Sequence, residues 1–155
     1  VRYLAKFIFS DTMKCNGCGI CELICSWYKE GSFDPLLSRI KKTRLGLANI
    51  ATACRFCEEP PCVVQCPTKA LTQKDNGIID VNKEKCDGCG WCVDVCPYGA
   101  INIHPDRFAI ICDLCDNDPQ CVNVCPTDAL ILVDQDELSN YINYDLIERD
   151  LGGDV

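Results

Sequence analysis

The sequence predicts a small, loop-rich α+β fold built from two fused modules with short helices and short β-hairpins. Three observations carry that expectation. The 155 residues include sixteen cysteines, and all sixteen fall into four groups of four with none left over. In each group the first two cysteines stand two residues apart, and the last follows the third after three residues. Between the groups run short apolar stretches broken by turn residues, as at Asp75-Asn76-Gly77, and these read as hairpins.

So many cysteines in a short chain would suit a disulfide scaffold. Their spacing argues otherwise, because repeated close pairs in loops rich in Gly and Pro suit convergent thiolate ligands better than long-range bridges. Zinc held by four thiolates is the stronger alternative, but such sites use two close pairs. Here a third cysteine sits in the same loop and a fourth lies further along, usually before Pro.

The stretch from Cys54 to Pro97 can be read almost letter by letter. It runs C-R-F-C-E-E-P-P-C-V-V-Q-C-P and, about twenty residues on, C-D-G-C-G-W-C-V-D-V-C-P. The second half resembles the C-x2-C-x2-C-x3-C-P run of bacterial two-cluster ferredoxins, whose fourth cysteine ligates the other cluster. A helix from Cys92 to Cys96 would set Cys96 one turn away from the loop. The resemblance implies one cluster on Cys86, Cys89, Cys92 and Cys66, and its neighbour on Cys54, Cys57, Cys62 and Cys96.

Taken in order, Arg2 to Phe9 are apolar and aromatic and predict a strand. The first cysteine group follows, C-N-G-C-G-I-C-E-L-I-C, with Ser26 where Pro is expected. Residues 26–53 form an insertion carrying Lys29, Arg39, Lys41, Lys42 and Arg44, a third of the basic side chains. It reads either as a solvated loop and strand that balances cluster charge or as a docking surface. Ala70–Gln73 and Ile78–Val81 predict one hairpin, and residues 100–111 a second that turns near Pro105-Asp106. His104, the only histidine, precedes that proline and reads as structural. After the fourth group, C-D-L-C-D-N-D-P-Q-C-V-N-V-C-P, Ala129–Val133 predict a last strand. In the acidic tail, Leu138, Tyr141, Ile142 and Leu146 permit a short amphipathic helix, packed on its own domain or on a partner.

Four such groups in one short chain, with C-E-E-P-P-C and C-D-N-D-P-Q-C variants in the second and fourth, resemble the four-cluster electron-transfer subunits of tungsten, molybdenum or nickel oxidoreductases. That resemblance implies four [4Fe-4S] clusters, with the first cysteine group paired to the fourth and the second to the third. Cys15, Cys18, Cys21 and Cys125 would bind one cluster, and Cys112, Cys115, Cys121 and Cys25 another. It divides the chain into residues 1–53 with 108–134, residues 54–107, and an acidic tail, 135–155. Some such subunits replace a cysteine by Trp, but Trp91 displaces none here. The segment C-E-L-I-C-S-W-Y-K-E-G-S-F-D-P-L-L-S-R-I is similar to small subunits of tungsten aldehyde oxidoreductase and of tungsten benzoyl-CoA reductase. The partner implied is a catalytic tungsten- or molybdenum-pterin subunit, with a flavin subunit or soluble ferredoxin as a further redox partner. A free polyferredoxin, or the ferredoxin subunit of a carbon monoxide dehydrogenase or molybdenum enzyme, is the alternative.

No catalytic acid, base or nucleophile constellation stands out, so the expected role is electron relay without a catalytic site. Gly17, Gly19, Gly88 and Gly90 would let the backbone approach a cluster. Trp91, Ile20 and Val63 would exclude water or simply pack. The net charge of −8, made more negative by clusters, disfavours nucleic acid. No apolar run is long enough to span a bilayer. The start lacks signal-peptide features, so the expected location is the cytoplasm.

Overall fold

The computed structural model describes residues 6–141. Strand β1 (Phe7–Ser10) pairs antiparallel with β8 (Leu130–Val133), Phe7 opposite Val133 and Ser10 opposite Leu130. Both strands bury apolar side chains, so the pairing ties the first cysteine group to the fourth across most of the chain. The start of the predicted first strand, residues 2–5, lies outside the described residues.

Three further ribbons are also two-stranded and antiparallel. They are β2 (Lys41–Leu45) with β3 (Ala48–Thr52), β4 (Leu71–Gln73) with β5 (Ile79–Val81), and β6 (Asn102–Ile103) with β7 (Ala109–Ile110). The last two are the expected hairpins. The first replaces the expected loop and single strand of the insertion: a 3-10 turn at Pro35–Leu37 leads into a full hairpin. Its turn at Gly46-Leu47 lacks the Asn-Gly signature, and β2 shows no alternation of apolar and polar residues.

Among the described residues four α-helices complete the fold: α1 (Ile20–Glu30), α2 (Pro61–Val64), α3 (Trp91–Val95) and α4 (Gln120–Asn123). Helix α1 packs on α4, and α2 on α3. Pro97 stops α3, since the residue before a proline is pushed out of the helical region; Cys96 is extended, at φ −72° and ψ 114°. Ser26 imposes no such stop, so α1 runs on until Gly31, at φ 67°, caps it by bonding to the Trp27 carbonyl.

The core is thin. Seven of its twenty-two buried residues are cysteines, so its cohesion depends on what those thiols hold. Apolar anchors such as Phe7, Ile8, Phe56 and Val133 are almost wholly buried in it. The tail begins as a 3-10 helix, Gln135–Asn140, with Leu138 against the core and the Tyr141 ring 6.3 Å from Phe9. Of the predicted tail helix, Ile142 and Leu146 lie outside the described residues. Among the described residues no helix is long and apolar enough to cross a membrane.

Candidate metal centres

Three clefts of similar size, each partly open to solvent, are lined by four cysteines apiece. Cys15, Cys18, Cys21 and Cys125 line one of about 330 Å³. Cys54, Cys57, Cys62 and Cys96 line the second, about 320 Å³, and Cys66, Cys86, Cys89 and Cys92 the third, about 290 Å³. In each case three cysteines come from one group and the fourth from another. A repeated backbone device brings the remote one in. The Asp11 N–H donates to the Ala129 carbonyl at 2.8 Å, while Asp11 accepts from Cys15. The Asn82 N–H donates to Ala70 at 2.8 Å, while Asn82 accepts from Cys86. Ala129 and Ala70 each lie four residues past the incoming cysteine, Cys125 or Cys66.

The remaining four cysteines gather between α1 and α4. Cys25 sits in the middle of α1, buried, and lies near enough to Cys121, Cys112 and Cys115 for their thiolate charges to repel. Lys29, one turn further along α1, bonds Asp113 at 2.6 Å and so fastens the helix to the loop of the fourth group. Burial works against the Lys29 ammonium, but the hydrogen bond and charge of Asp113 outweigh it and raise its pKa.

All sixteen cysteines are free thiols. Among the described residues no three His, Cys, Asp or Glu side chains converge on one point as a single ion would require. Burial, reinforced by neighbouring charges, pushes Cys21 and Cys121 up to about 12. Burial likewise takes Cys54 to about 12, Cys62 and Cys92 to about 11, and raises Cys112 well above the ordinary thiol range. Four such thiols around one gap suit a polynuclear cationic core, whose charge offsets their mutual repulsion. Cys66 and Cys125 run the other way. Burial would raise them, but the Thr68 hydroxyl and backbone N–H groups lower Cys66, and those of Thr127, Leu130 and Ala129 lower Cys125. Elsewhere backbone N–H groups aim at sulfur from Arg39 to Cys25 at 3.3 Å and from Ala109 to Cys86 at 3.4 Å.

Thiol charges also act across quartets. Cys21 lies near Cys121, Cys112 near Cys54, and Cys62 near Cys92, each close enough for charge repulsion.

Two cations line clefts, Lys42 from among the insertion's expected basic residues and Arg55, for which the sequence reading has no role. Lys42 lines the first cleft, and Arg55 lines the second, its guanidinium 4.5 Å from the Phe7 ring centroid. The signal for Arg55 was its place inside C-R-F-C. Trp91 and Ile20, expected to pack or exclude water, are exposed, because each opens its helix on the outer side; Val63 does pack on the core. His104 is structural in its contacts: Nδ1 accepts the Asp106 N–H at 3.0 Å and the ring stacks on Phe108.

Comparison with known proteins gives a concordant picture. The 4Fe-4S dicluster domain family matches residues 47–135, and the 4Fe-4S binding domain family matches residues 12–29. The electron transport protein HydN of Escherichia coli (strain K12) is 36% identical over 159 residues, covering 86% of this chain and 90% of its own. The polyferredoxin-like subunit of the aliphatic sulfonate oxidoreductase of Pyrococcus furiosus is 42% identical over 106 residues, covering 66% and 61%. Among solved structures, a chain of the benzoyl coenzyme A reductase active-site complex BamBC aligns over 96% of this chain and 98% of that one. Its TM-score is 0.50 at 26% identity.

Proposed function

Because the chain belongs to the 4Fe-4S dicluster domain family, we propose that it relays single electrons through four clusters between a catalytic subunit and a second redox partner. That it carries multiple 4Fe-4S clusters and serves electron transport follows from its family and its sixteen cysteines. The finer reading assigns each quartet one cluster. Cys15, Cys18, Cys21 and Cys125 hold A, and Cys112, Cys115, Cys121 and Cys25 hold B. Cys86, Cys89, Cys92 and Cys66 hold C, and Cys54, Cys57, Cys62 and Cys96 hold D. On this reading residues 1–53 with 108–134 form one module and residues 54–107 the other.

The observation that carries the proposal is the crossed lining of the three clefts, three cysteines of one group with the fourth of another, joined by charge interactions between quartets, Cys21 with Cys121, Cys112 with Cys54 and Cys62 with Cys92. They order the centres A, B, D, C. When bound, a [4Fe-4S] cluster stores and releases one electron. The chain's own residues do the rest. Buried Cys25, Cys54, Cys112 and Cys121 root the two inner centres in the core. Exposed Cys18 and Cys89 bring the two outer ones to the surface, where electrons enter and leave. Backbone N–H groups directed at sulfur favour the more reduced, more negative state. The chain needs no catalytic site for this work. The similarity of residues 21–40 to tungsten-enzyme small subunits supports a tungsten-pterin catalytic partner, and the complex is placed in the cytoplasm.

Anaerobic reconstitution followed by metal analysis tests the cluster count. Four complete sites predict about sixteen iron and sixteen acid-labile sulfide per chain. About twelve iron, or stoichiometric zinc, would contradict it.

A further inference from the structure

The β2–β3 hairpin stands apart from the other three ribbons. Every residue of β2 after Lys41 is exposed, on both faces of the strand, whereas the other ribbons bury side chains in the core. Its partner strand β3 packs on β1 and buries Ala51, which leaves β2 and the tip as the uncovered part of the ribbon. Its tip carries Leu45, 64% exposed, and Leu47, 96% exposed. The tip lies about 13 Å beyond Lys41, whose ammonium bonds the Pro35 carbonyl and fixes the hairpin base beside Leu36. On the same insertion Trp27 and Phe33 stack at 4.6 Å while both remain exposed. Among the described residues, six of the fourteen exposed large apolar side chains fall within the insertion, residues 26–53.

Charge separates this surface from the rest. Residues 35–57 contain no Asp or Glu but carry Lys41, Lys42 and Arg44 along β2, in a chain of net charge −8. An apolar patch with a basic edge calls for an apolar partner with an acidic edge. A second copy of this chain docked by two-fold symmetry would set these cations on themselves. A transient carrier does not need so much exposed hydrocarbon, whereas permanent interfaces are the more hydrophobic class.

We propose that the β2–β3 hairpin, with the Trp27–Phe33 stack, is the permanent docking surface for the acidic-edged face of the catalytic subunit. This rests on the electron-relay reading, and Lys42 joins the surface to the cleft of Cys15, Cys18, Cys21 and Cys125, which it also lines.

The test uses the native complex, isolated anaerobically and treated with a carbodiimide, which joins lysine to carboxylate without a spacer. Peptide mapping should find Lys41 and Lys42 linked to Asp or Glu of the subunit that carries the catalytic cofactor. A Leu45→Ser/Leu47→Ser variant with full iron content should be recovered in the complex at least tenfold less than the parent chain. The proposal is overturned if the chain elutes alone as holo-protein. It is equally overturned if those lysines link only to a second copy, to a small carrier or to nothing, or if the variant assembles normally. Iron content and paramagnetic resonance of the same preparations report separately on the cluster reading.

Discussion

In the third cysteine group Pro97 follows Cys96, and α3 stops after five residues. In the first group Ser26 follows Cys25, and α1 continues for eleven. The ligand spacing is the same in both, and both groups line a cleft of similar size. What differs is everything beyond the last cysteine. Ser26 is fully buried, its hydroxyl donating to the Leu23 carbonyl at 3.0 Å, and the helix past it delivers Lys29 to Asp113 and Trp27 to Phe33. Cysteine spacing therefore sets the cleft, while the next residue sets how far the helix reaches toward its neighbours.

The largest expected effect concerns the two fourth cysteines themselves. Cys25 lies inside a helix and Cys96 just past the end of one, yet the crossed assignment gives both the same role. Cys25→Ser should damage the centre held by Cys112, Cys115 and Cys121 while sparing that of Cys15, Cys18 and Cys21. Cys96→Ser should damage the centre of Cys54, Cys57 and Cys62 and spare that of Cys86, Cys89 and Cys92. Low-temperature paramagnetic resonance of stepwise-reduced protein, with signals assigned through Cys18→Ser and Cys115→Ser, reads the pattern. If Cys25→Ser instead perturbs the Cys18 signal, the crossing is wrong and the parallel between the halves breaks.

A smaller effect tests the proline directly. Ser26→Pro removes an N–H inside α1 and sets a ring against the preceding turn, which costs about 3 kcal/mol. The Lys29–Asp113 contact should go with it. Pro97→Ser, at an exposed position after α3, should change stability by about 0.5 kcal/mol. Denaturant unfolding of the two holo-variants under anaerobic conditions compares them. Equal losses would mean that the residue after the last cysteine does not separate the halves.

Much of this was legible in the cysteines and turn residues. The spacing marked the four groups, Asp75-Asn76-Gly77 marked the β4–β5 turn, and the apolar run at Ala129–Val133 marked β8. The reach of α1 was legible only in Ser26, the missing proline, because cysteine spacing says nothing of the chain beyond the last cysteine. The β2–β3 hairpin escaped because Leu45-Gly46-Leu47 carries no favoured turn pair and K-K-T-R has no buried face to impose alternation. Arg55 and Lys42 entered their clefts through packing between distant segments, which local patterns do not encode.

The smallest effect distinguishes the two ligand loops at matching glycines. Gly17 and Gly88 both follow the first cysteine by two residues and both have positive φ, 74° and 69°. Alanine at either position therefore suffers a similar left-handed strain, about 1–3 kcal/mol. Their surroundings differ. A methyl group on Gly88 would meet the Arg107 backbone at 2.8 Å, where little can yield. On Gly17 it would meet the Asn49 side-chain oxygen at 2.6 Å, and that side chain can rotate away. Gly88→Ala should thus be the costlier change, by about 1 kcal/mol, the scale of interactions between residues in direct contact. Adding Asn49→Ala to Gly17→Ala should recover part of the loss, while Arg107→Ala should return nothing to Gly88→Ala because its backbone stays in place. Denaturation midpoints of the four holo-variants decide this. Recovery by Arg107→Ala would show that a side chain, not the backbone, closes the second loop, and the distinction between the loops would fail.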